Sequence, residues 1–381
     1  MRVLVTGTGG YIGTVLAPVL MERGHDVVGV DTGYYNQAWL YNGVTRAPAY
    51  LAKDIRHITV DDLQGFDAVV HMAELSNDPL GQLNPTITYQ INHEGSVELA
   101  KKCKAAGIER FVYTSSCSVY GVGGEEIKTE ESELQPQTAY AECKVRVERD
   151  VTALADRTFS PTFLRNATAF GASPRMRFDL VLNNLSGLAR TTNEIRMTSD
   201  GKPWRPLVHI LDIAEAVACA LAAPRDVVHK EIFNVGSTEQ NYRVREIAEI
   251  VAEAFPGCTT TFGNNDGDNR SYRVSFDKIA TQLPGFACRW DARSGARQLR
   301  EVFEHIGLTK DDFEAKNFTR LKQLNYLIRT NQIDDDFFWR QACSSPKAGS
   351  RELTSSTSRS VPMSAASLPE AFAHVSSSST A

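Results

Sequence analysis

The chain has 381 residues, 42% of them apolar and 23% charged, and a formal net charge of −5. That length holds two domains, or one large domain with an appendage, in the ordinary balance of a globular protein. The mild acidity offers no basic surface for nucleic acid, and no apolar run is long enough to span a bilayer.

The opening stretch, Arg2 to Asp31, organises the rest. Val3, Leu4 and Val5 form a short apolar run rich in β-branched residues, as in a buried parallel strand. Gly7, Gly10 and Gly13 follow at spacing three and three. Tyr11, Ile12, Val15, Leu16, Val19 and Leu20 then recur at helical intervals up to Gly24. A second apolar run, Val27 to Val30, ends in Asp31. Glycines let a backbone turn tightly and approach a diphosphate, and the helix that opens there points free N–H groups at it. An acid after the second strand accepts hydrogen bonds from both hydroxyls of an adenosine ribose and repels a 2′-phosphate. Asp31 therefore favours NAD over NADP as the cofactor.

Further on, Asp54 and Ile55 fall where an acid beside an aliphatic residue can lie along the adenine edge. Phe66 to Met72 reads as a third buried strand. Glu74 follows it, an acid that a nearby diphosphate would repel unless its side chain points away. Thr86 to Cys103 reads as one helix. Asn92 lies within it, and an asparagine facing the sheet can clamp neighbouring backbone. Arg110 to Tyr113 reads as a fourth strand that runs into the hydroxyl cluster Thr114, Ser115, Ser116 and Ser118. Residues at the carboxyl end of a parallel strand lie where ligands bind. The stretch 123–133 reads as polar loop.

The next helix opens at Pro136 and sets Tyr140 and Lys144 four residues apart, on one face. A phenol near pKa ~10 is a poor base at neutral pH. An adjacent ammonium and a positive nicotinamide ring stabilise the phenolate. Thr162 to Phe170 is expected as a strand and Phe178 to Leu188 as an apolar helix flanked by Arg175, Arg177, Asn183 and Asn184. A turn at Asp200 leads into a strand through Trp204 to Ile210, and Asp212 is expected to cap the helix after it. Ile232 to Gly236 is a further strand and Val244 to Phe255 an amphipathic helix. Arg270 and Arg273, with Arg175, Arg177 and Arg205, could hold phosphates in a second lobe. From about residue 341 the chain is rich in Ser, Ala and Thr and is expected to form a disordered tail. Seven cysteines, without a C-x-x-C pair, suit reduced thiols in a cytosol, and no metal site is expected. The chain opens directly on a strand, which leaves no room for a signal peptide, so a cytoplasmic location is expected.

Together these residues resemble the extended short-chain dehydrogenase/reductase superfamily, in its NAD-dependent nucleotide-sugar epimerase/dehydratase branch. The marks are Gly7-x-x-Gly10-x-x-Gly13, Asp31, Asp54-Ile55, Asn92-x-x-Gly95, Ser115-Ser116, Tyr140-x-x-x-Lys144, Leu164-Arg165 with Gly171, and Trp204-Arg205 before Val208-His209. The resemblance implies an α/β fold: a Rossmann-type doubly wound parallel sheet with a smaller C-terminal lobe for a nucleoside-diphosphate sugar. It implies an NAD domain over 1–170 with a returning segment near 207–240, and a substrate lobe mainly over 171–340. It places Gly7, Gly10, Tyr11, Ile12, Gly13, Asp31, Asp54, Ile55, Asn92, Tyr140 and Lys144 on NAD. It places Ser116, Tyr140, Asn183, Arg205 and Arg273 on the substrate, and Ser116, Tyr140 and Lys144 in catalysis. A homodimer through paired helices is expected on the same ground.

The implied chemistry begins with Tyr140 taking a proton from a sugar hydroxyl, usually at C4, while hydride passes to NAD. Dehydratases of the branch carry an Asp-Glu pair where this chain has Cys117 and Ser118, which counts against 4,6-dehydration. The strand residue that often contacts the sugar nucleotide is Thr168 here, with Asn166 two positions earlier. An epimerase acting at C4 is the expectation. The alternatives are a sugar-nucleotide dehydrogenase or reductase with net redox change, and a non-catalytic NAD-binding regulator.

Overall fold

The computed structural model describes residues 1–44, 46–265 and 270–340. The serine-rich tail from 341 and part of the arginine-bearing stretch near 268 lie outside the described residues. Fourteen strands are formed among them: β1 Arg2–Thr6, β2 Asp26–Asp31, β3 Ala49–Ala52, β4 Ala68–His71, β5 Arg110–Ser116, β6 Val122–Lys128 and β7 Ser160–Asn166, then β8 Thr168–Phe170, β9 Glu194–Ser199, β10 Trp204–His209, β11 Ile232–Val235, β12 Asn241–Arg243, β13 Thr259–Asn265 and β14 Ser271–Val274. The principal helices are α1 Gly13–Glu22, α2 Ser96–Ala105, α3 Ala139–Thr152, α4 Val181–Thr192, α5 Ile210–Ala222, α6 Val244–Ala254, α7 Ala292–His305 and α8 Arg320–Arg329. None is long and apolar enough to cross a membrane.

Seven strands form one parallel sheet in the order β11-β7-β5-β4-β1-β2-β3. The order reverses direction at β1, so the crevice at the carboxyl ends of β1 and β4 is the place where such a sheet takes a ligand. Alternation along β1 explains its apolar centre, Val3 to Val5. Val3 and Val5 pack with Leu16, Leu20 and Val217 on the face of α1 and α5. Leu4 packs with Val69, Phe111 and Leu99 on the other. Both faces are covered, so the three central positions are apolar. Each such side chain contributes roughly 1.5–3 kcal/mol by leaving water.

The smaller lobe has its own core, with Phe170, Phe178, Leu182, Leu207, Ile247, Leu299 and Phe303. Its strands pair as β8-β10-β12, with β9 on β13 and β6 on β14. The stretch expected as a single strand over Thr162 to Phe170 divides at Ala167. β7 stays in the parallel sheet, and β8 crosses to pair with β10. The expected loop at 123–133 instead contributes β6, whose partner β14 lies far along the chain. The expected helix over Thr86 to Cys103 is broken up by a π-helical turn at Tyr89–Gly95. Asp212 does not cap a helix. His209 accepts from the Leu211 N–H at the start of α5, while buried Asp212 accepts from the backbone N–H groups of Arg289 and Trp290.

The segment from α8 onward leaves the smaller lobe. Leu324, Leu327, Ile333 and Phe337 are buried in the core of the first lobe. They share that core with Val30 of β2 and Ile55.

Candidate active site

One cavity of about 740 Å³ lies between the lobes, over the carboxyl ends of the parallel strands. Gly7, Gly10, Tyr11, Ile12, Gly13, Asp31, Asp54 and Ile55 line one end of its wall, and Ser116, Tyr140, Lys144 and Arg205 also line it. The glycine loop is closed on itself. A Cβ at Gly13 would run into the Gly7 carbonyl oxygen and the Thr8 backbone. Only glycine permits that approach of helix to strand.

Asp31 sits where the second strand ends. Its carboxylate accepts from the Gly9 N–H at 3.0 Å and the Gly33 N–H at 2.8 Å. Burial pushes its pKa up, and those two N–H groups oppose the shift. Asp31 also lines the cavity, where ribose hydroxyls would reach it. Asp54 caps the short turn at Ile55–His57 and pairs with Arg56 at 2.9 Å. The residues present therefore fit a dinucleotide: a glycine cradle, a helix N-terminus, and an acid at the ribose position.

The catalytic candidates come from two elements. β5 ends in Ser116. α3 begins after Thr138, whose hydroxyl accepts from the Ala141 N–H at 3.2 Å. That cap fixes the start of the helix, which carries Tyr140 and Lys144 into the wall. Ser116 lies near enough to the Tyr140 hydroxyl to favour its ionised form. Burial pushes the Tyr140 pKa well up, the charge of Glu74 adds to the rise, and Ser116 opposes it. Lys144 is also engaged by groups of the protein itself. Its ammonium donates to the Thr114 carbonyl at 2.5 Å and pairs with Glu74 Oε2 at 2.7 Å, 5.5 Å from the Tyr140 ring centroid.

Glu74 thus points away from the glycine loop, down to Lys144 and to the Tyr113 hydroxyl, which donates to it. The group is buried. Burial raises the Glu74 pKa, while Lys144 and Tyr113 pull it down. Sequence reasoning found Glu74 anomalous but could not name its partners, because they lie on β5 and α3.

Three predicted site residues do not line the cavity. Asn92 accepts from the Leu75 N–H at 2.8 Å and donates to the Leu75 carbonyl at 3.1 Å. It shapes the loop that bears Glu74. Asn183 accepts from the Gly171 N–H and donates to the Tyr11 hydroxyl and the Arg177 carbonyl. Its polar atoms are used up within the protein. Arg273 packs 5.2 Å from the Trp204 ring centroid. Strand alternation in β14 gives the wall to Tyr272.

Other residues enter the wall instead: Arg177, Arg270, Arg320, Asn166, Thr168 and Ser118. Arg177 pairs with Asp179 at 2.9 Å, and Arg270 pairs with Asp78. Asn166 Oδ1 and Ser118 Oγ are buried without a hydrogen-bond partner. Cys117 lies beneath, its thiol on the Arg165 carbonyl at 3.1 Å and its pKa raised by burial. Neither Cys117 nor Ser118 is a carboxylic acid, so this edge of the cavity has no acid–base pair.

Fold and cavity together define a doubly wound dinucleotide-binding protein with a second lobe beside the cavity at the carboxyl ends of its strands. The comparisons narrow this. Residues 3–236 match the NAD dependent epimerase/dehydratase family, and the chain belongs to that family, within the extended short-chain dehydrogenases/reductases, with NAD as its cofactor. It is 30% identical over 301 residues to the UDP-glucose 4-epimerase of Corynebacterium glutamicum, covering 74% of this chain and 90% of that one. Among solved structures it is similar to MoeE5 in complex with UDP-glucose and NAD, with a TM-score of 0.67, 27% identity, and coverage of 80% of this chain and 99% of that one. A UDP-glucose 4-epimerase from Stenotrophomonas maltophila, with bound NAD and formylated UDP-arabinopyranose, matches with a TM-score of 0.68 and 26% identity over 81% of this chain and 99% of that one.

Proposed function

We propose that the protein is an NAD-dependent epimerase of a nucleoside-diphosphate sugar, acting at C4. One observation carries the reading. Ser116 and Tyr140 share a wall with the glycine cradle, and the positions beside them, Cys117 and Ser118, hold no acid to expel water. The similarity to UDP-glucose 4-epimerases supports it.

NAD supplies a reversible hydride acceptor when bound. The chain's own residues handle the proton. Ser116 donates to the C4 oxygen and holds it against Tyr140. Tyr140, as phenolate, takes the hydroxyl proton and later returns it to the same oxygen. Between those events the 4-keto sugar turns and presents its other face. Asn166 and Ser118, with unpartnered buried oxygens, are placed to accept from and orient sugar hydroxyls. Arg205 and Arg270 form the cationic end for the substrate diphosphate.

The test is to incubate the protein with NAD and UDP-, GDP-, CDP- and dTDP-sugars, then weigh each product. A new species of unchanged mass is expected with one of them. Loss of two hydrogens would replace the reading with a dehydrogenase, and loss of water with a dehydratase. Tyr140→Phe is expected to lower turnover by at least about 100-fold, the weight of a general base, while NAD still binds. Full turnover by that variant overturns the mechanism.

A further inference from the structure

Arg320 is the first residue of α8, in the part of the chain beyond the family match at 3–236. Its side chain is 2% exposed, and both terminal guanidinium nitrogens are buried without a hydrogen-bond partner. Among the described residues no other arginine has both left so. A buried, unpaired cation is costly, so a site that keeps one is built for an anion. The guanidinium carbon lies 4.1 Å from the centroid of the Tyr35 ring, a contact that holds the cation in place.

Its neighbours say which anion. Arg320 shares the cavity wall with Gly10, Tyr11 and Ile12 of the glycine loop and with Asp31. The two acids that act on it are both engaged elsewhere. Asp31 takes the Gly9 and Gly33 N–H groups, and Asp179 takes Arg177 and Asn77. Arg175 and Arg177 add two more cations to the same corner, so three cations face two carboxylates. Asp31, at the expected ribose position, acts on Arg320 directly, and Lys144, at the expected nicotinamide position, lines the same cavity without acting on it. The group between them in a dinucleotide is the diphosphate.

We propose that Arg320 is a ligand of the cofactor diphosphate, opposing the glycine loop across the cavity. The loop's backbone N–H groups hold one side of the diphosphate and the guanidinium fork holds the other. The helix that brings Arg320 is itself anchored. Gln323 donates to the Tyr34 carbonyl at 3.1 Å, the Tyr34 hydroxyl donates to the Phe337 carbonyl, and the Trp339 indole donates to the Thr32 carbonyl at 2.6 Å. The C-terminal segment is thus tied to the loop that follows Asp31. This inference rests on the cofactor and not on the reaction proposed above.

The test is binding by calorimetry to the full chain, stripped of nucleotide, with ADP, adenosine, UDP and NADP as probes. In the unaltered protein ADP is expected to bind more tightly than adenosine, and equal affinities overturn the proposal. Arg320→Met is expected to weaken ADP by on the order of 10- to 100-fold and leave adenosine and UDP unchanged. Arg320→Lys, which keeps the cation, is expected to restore part of the loss. An equal loss for adenosine would mean that Arg320 only supports the fold, and a loss confined to UDP would move it to the substrate diphosphate. NADP binding as tightly as NAD and weakened by Arg320→Met would move it to a 2′-phosphate. Each of these outcomes overturns the proposal.

Discussion

Lys144 has two claimants at its ammonium, the Thr114 carbonyl and the Glu74 carboxylate, and this decides how it acts on Tyr140. A free ammonium would lower the phenol's pKa. Here the Glu74 charge offsets it and, after burial, is the largest contribution raising the Tyr140 pKa. Tyr140 must be ionised to accept a proton, so a raised pKa places the rise of activity at higher pH. Glu74→Gln removes the negative charge and releases Lys144, and both effects lower the Tyr140 pKa. The rising limb of kcat/KM against pH is expected to move toward acid by roughly one unit. An unmoved limb would show that Glu74 does not govern the tyrosine. Tyr140 and Lys144 were legible in the sequence because four-residue spacing on a helix places them together. The effect of Glu74 was not, because its partners are hundreds of atoms away along the chain.

A second buried ion pair, Arg165 on β7 with Glu148 on α3 at 2.7 Å, ties that helix to the sheet. Ser115 on β5 donates to Glu148 at 2.5 Å, and the Tyr120 hydroxyl accepts from Arg165 at 3.0 Å and donates to Asn234 at 2.7 Å. Glu148→Leu leaves the Arg165 charge buried and is expected to lower stability by about 3–5 kcal/mol. The double change Glu148→Leu with Arg165→Met is expected to recover most of that. Urea unfolding of both variants measures it. The helix itself was readable from its apolar spacing, but Glu148 looks like any surface acid until Arg165 is set beside it. The π-helical turn at Tyr89–Gly95 and the pairing of β6 with β14 were hidden for the same reason. One depends on the Leu75 loop that Asn92 clamps, the other on a strand far along the chain.

The two lobes are joined through Tyr11, which stands inside the glycine loop. Its hydroxyl donates to the Gly171 carbonyl at 2.7 Å and accepts from Asn183 at 3.0 Å. Burial pushes its pKa up, so it remains a neutral phenol. Tyr11→Phe takes a hydrogen bond from the buried Gly171 carbonyl and frees one N–H of the buried Asn183 amide, and is expected to cost about 1–3 kcal/mol of stability. Because the bridge begins in the loop, NAD affinity is expected to fall along with it. Thermal unfolding and an NAD titration check the two together. A change in stability with unchanged NAD affinity would separate the bridge from the cofactor site.

Local sequence was enough to predict the doubly wound domain and its glycine loop, and to single out Asp31, Ser116, Tyr140 and Lys144, which line one cavity. Each is local: a glycine spacing, an alternation, a helical repeat, or an order of motifs that short-range geometry enforces. The tertiary structure decided which of the arginines reach the cavity, that Asn92 and Asn183 bind the protein's own backbone, and that Glu74 holds Lys144. It also brought Arg320 from the far end of the chain to the glycine loop. Those outcomes depend on which charges are buried together and which remain unpaired. Burial and pairing are properties of elements packed from distant parts of the chain, and no spacing within one stretch encodes them.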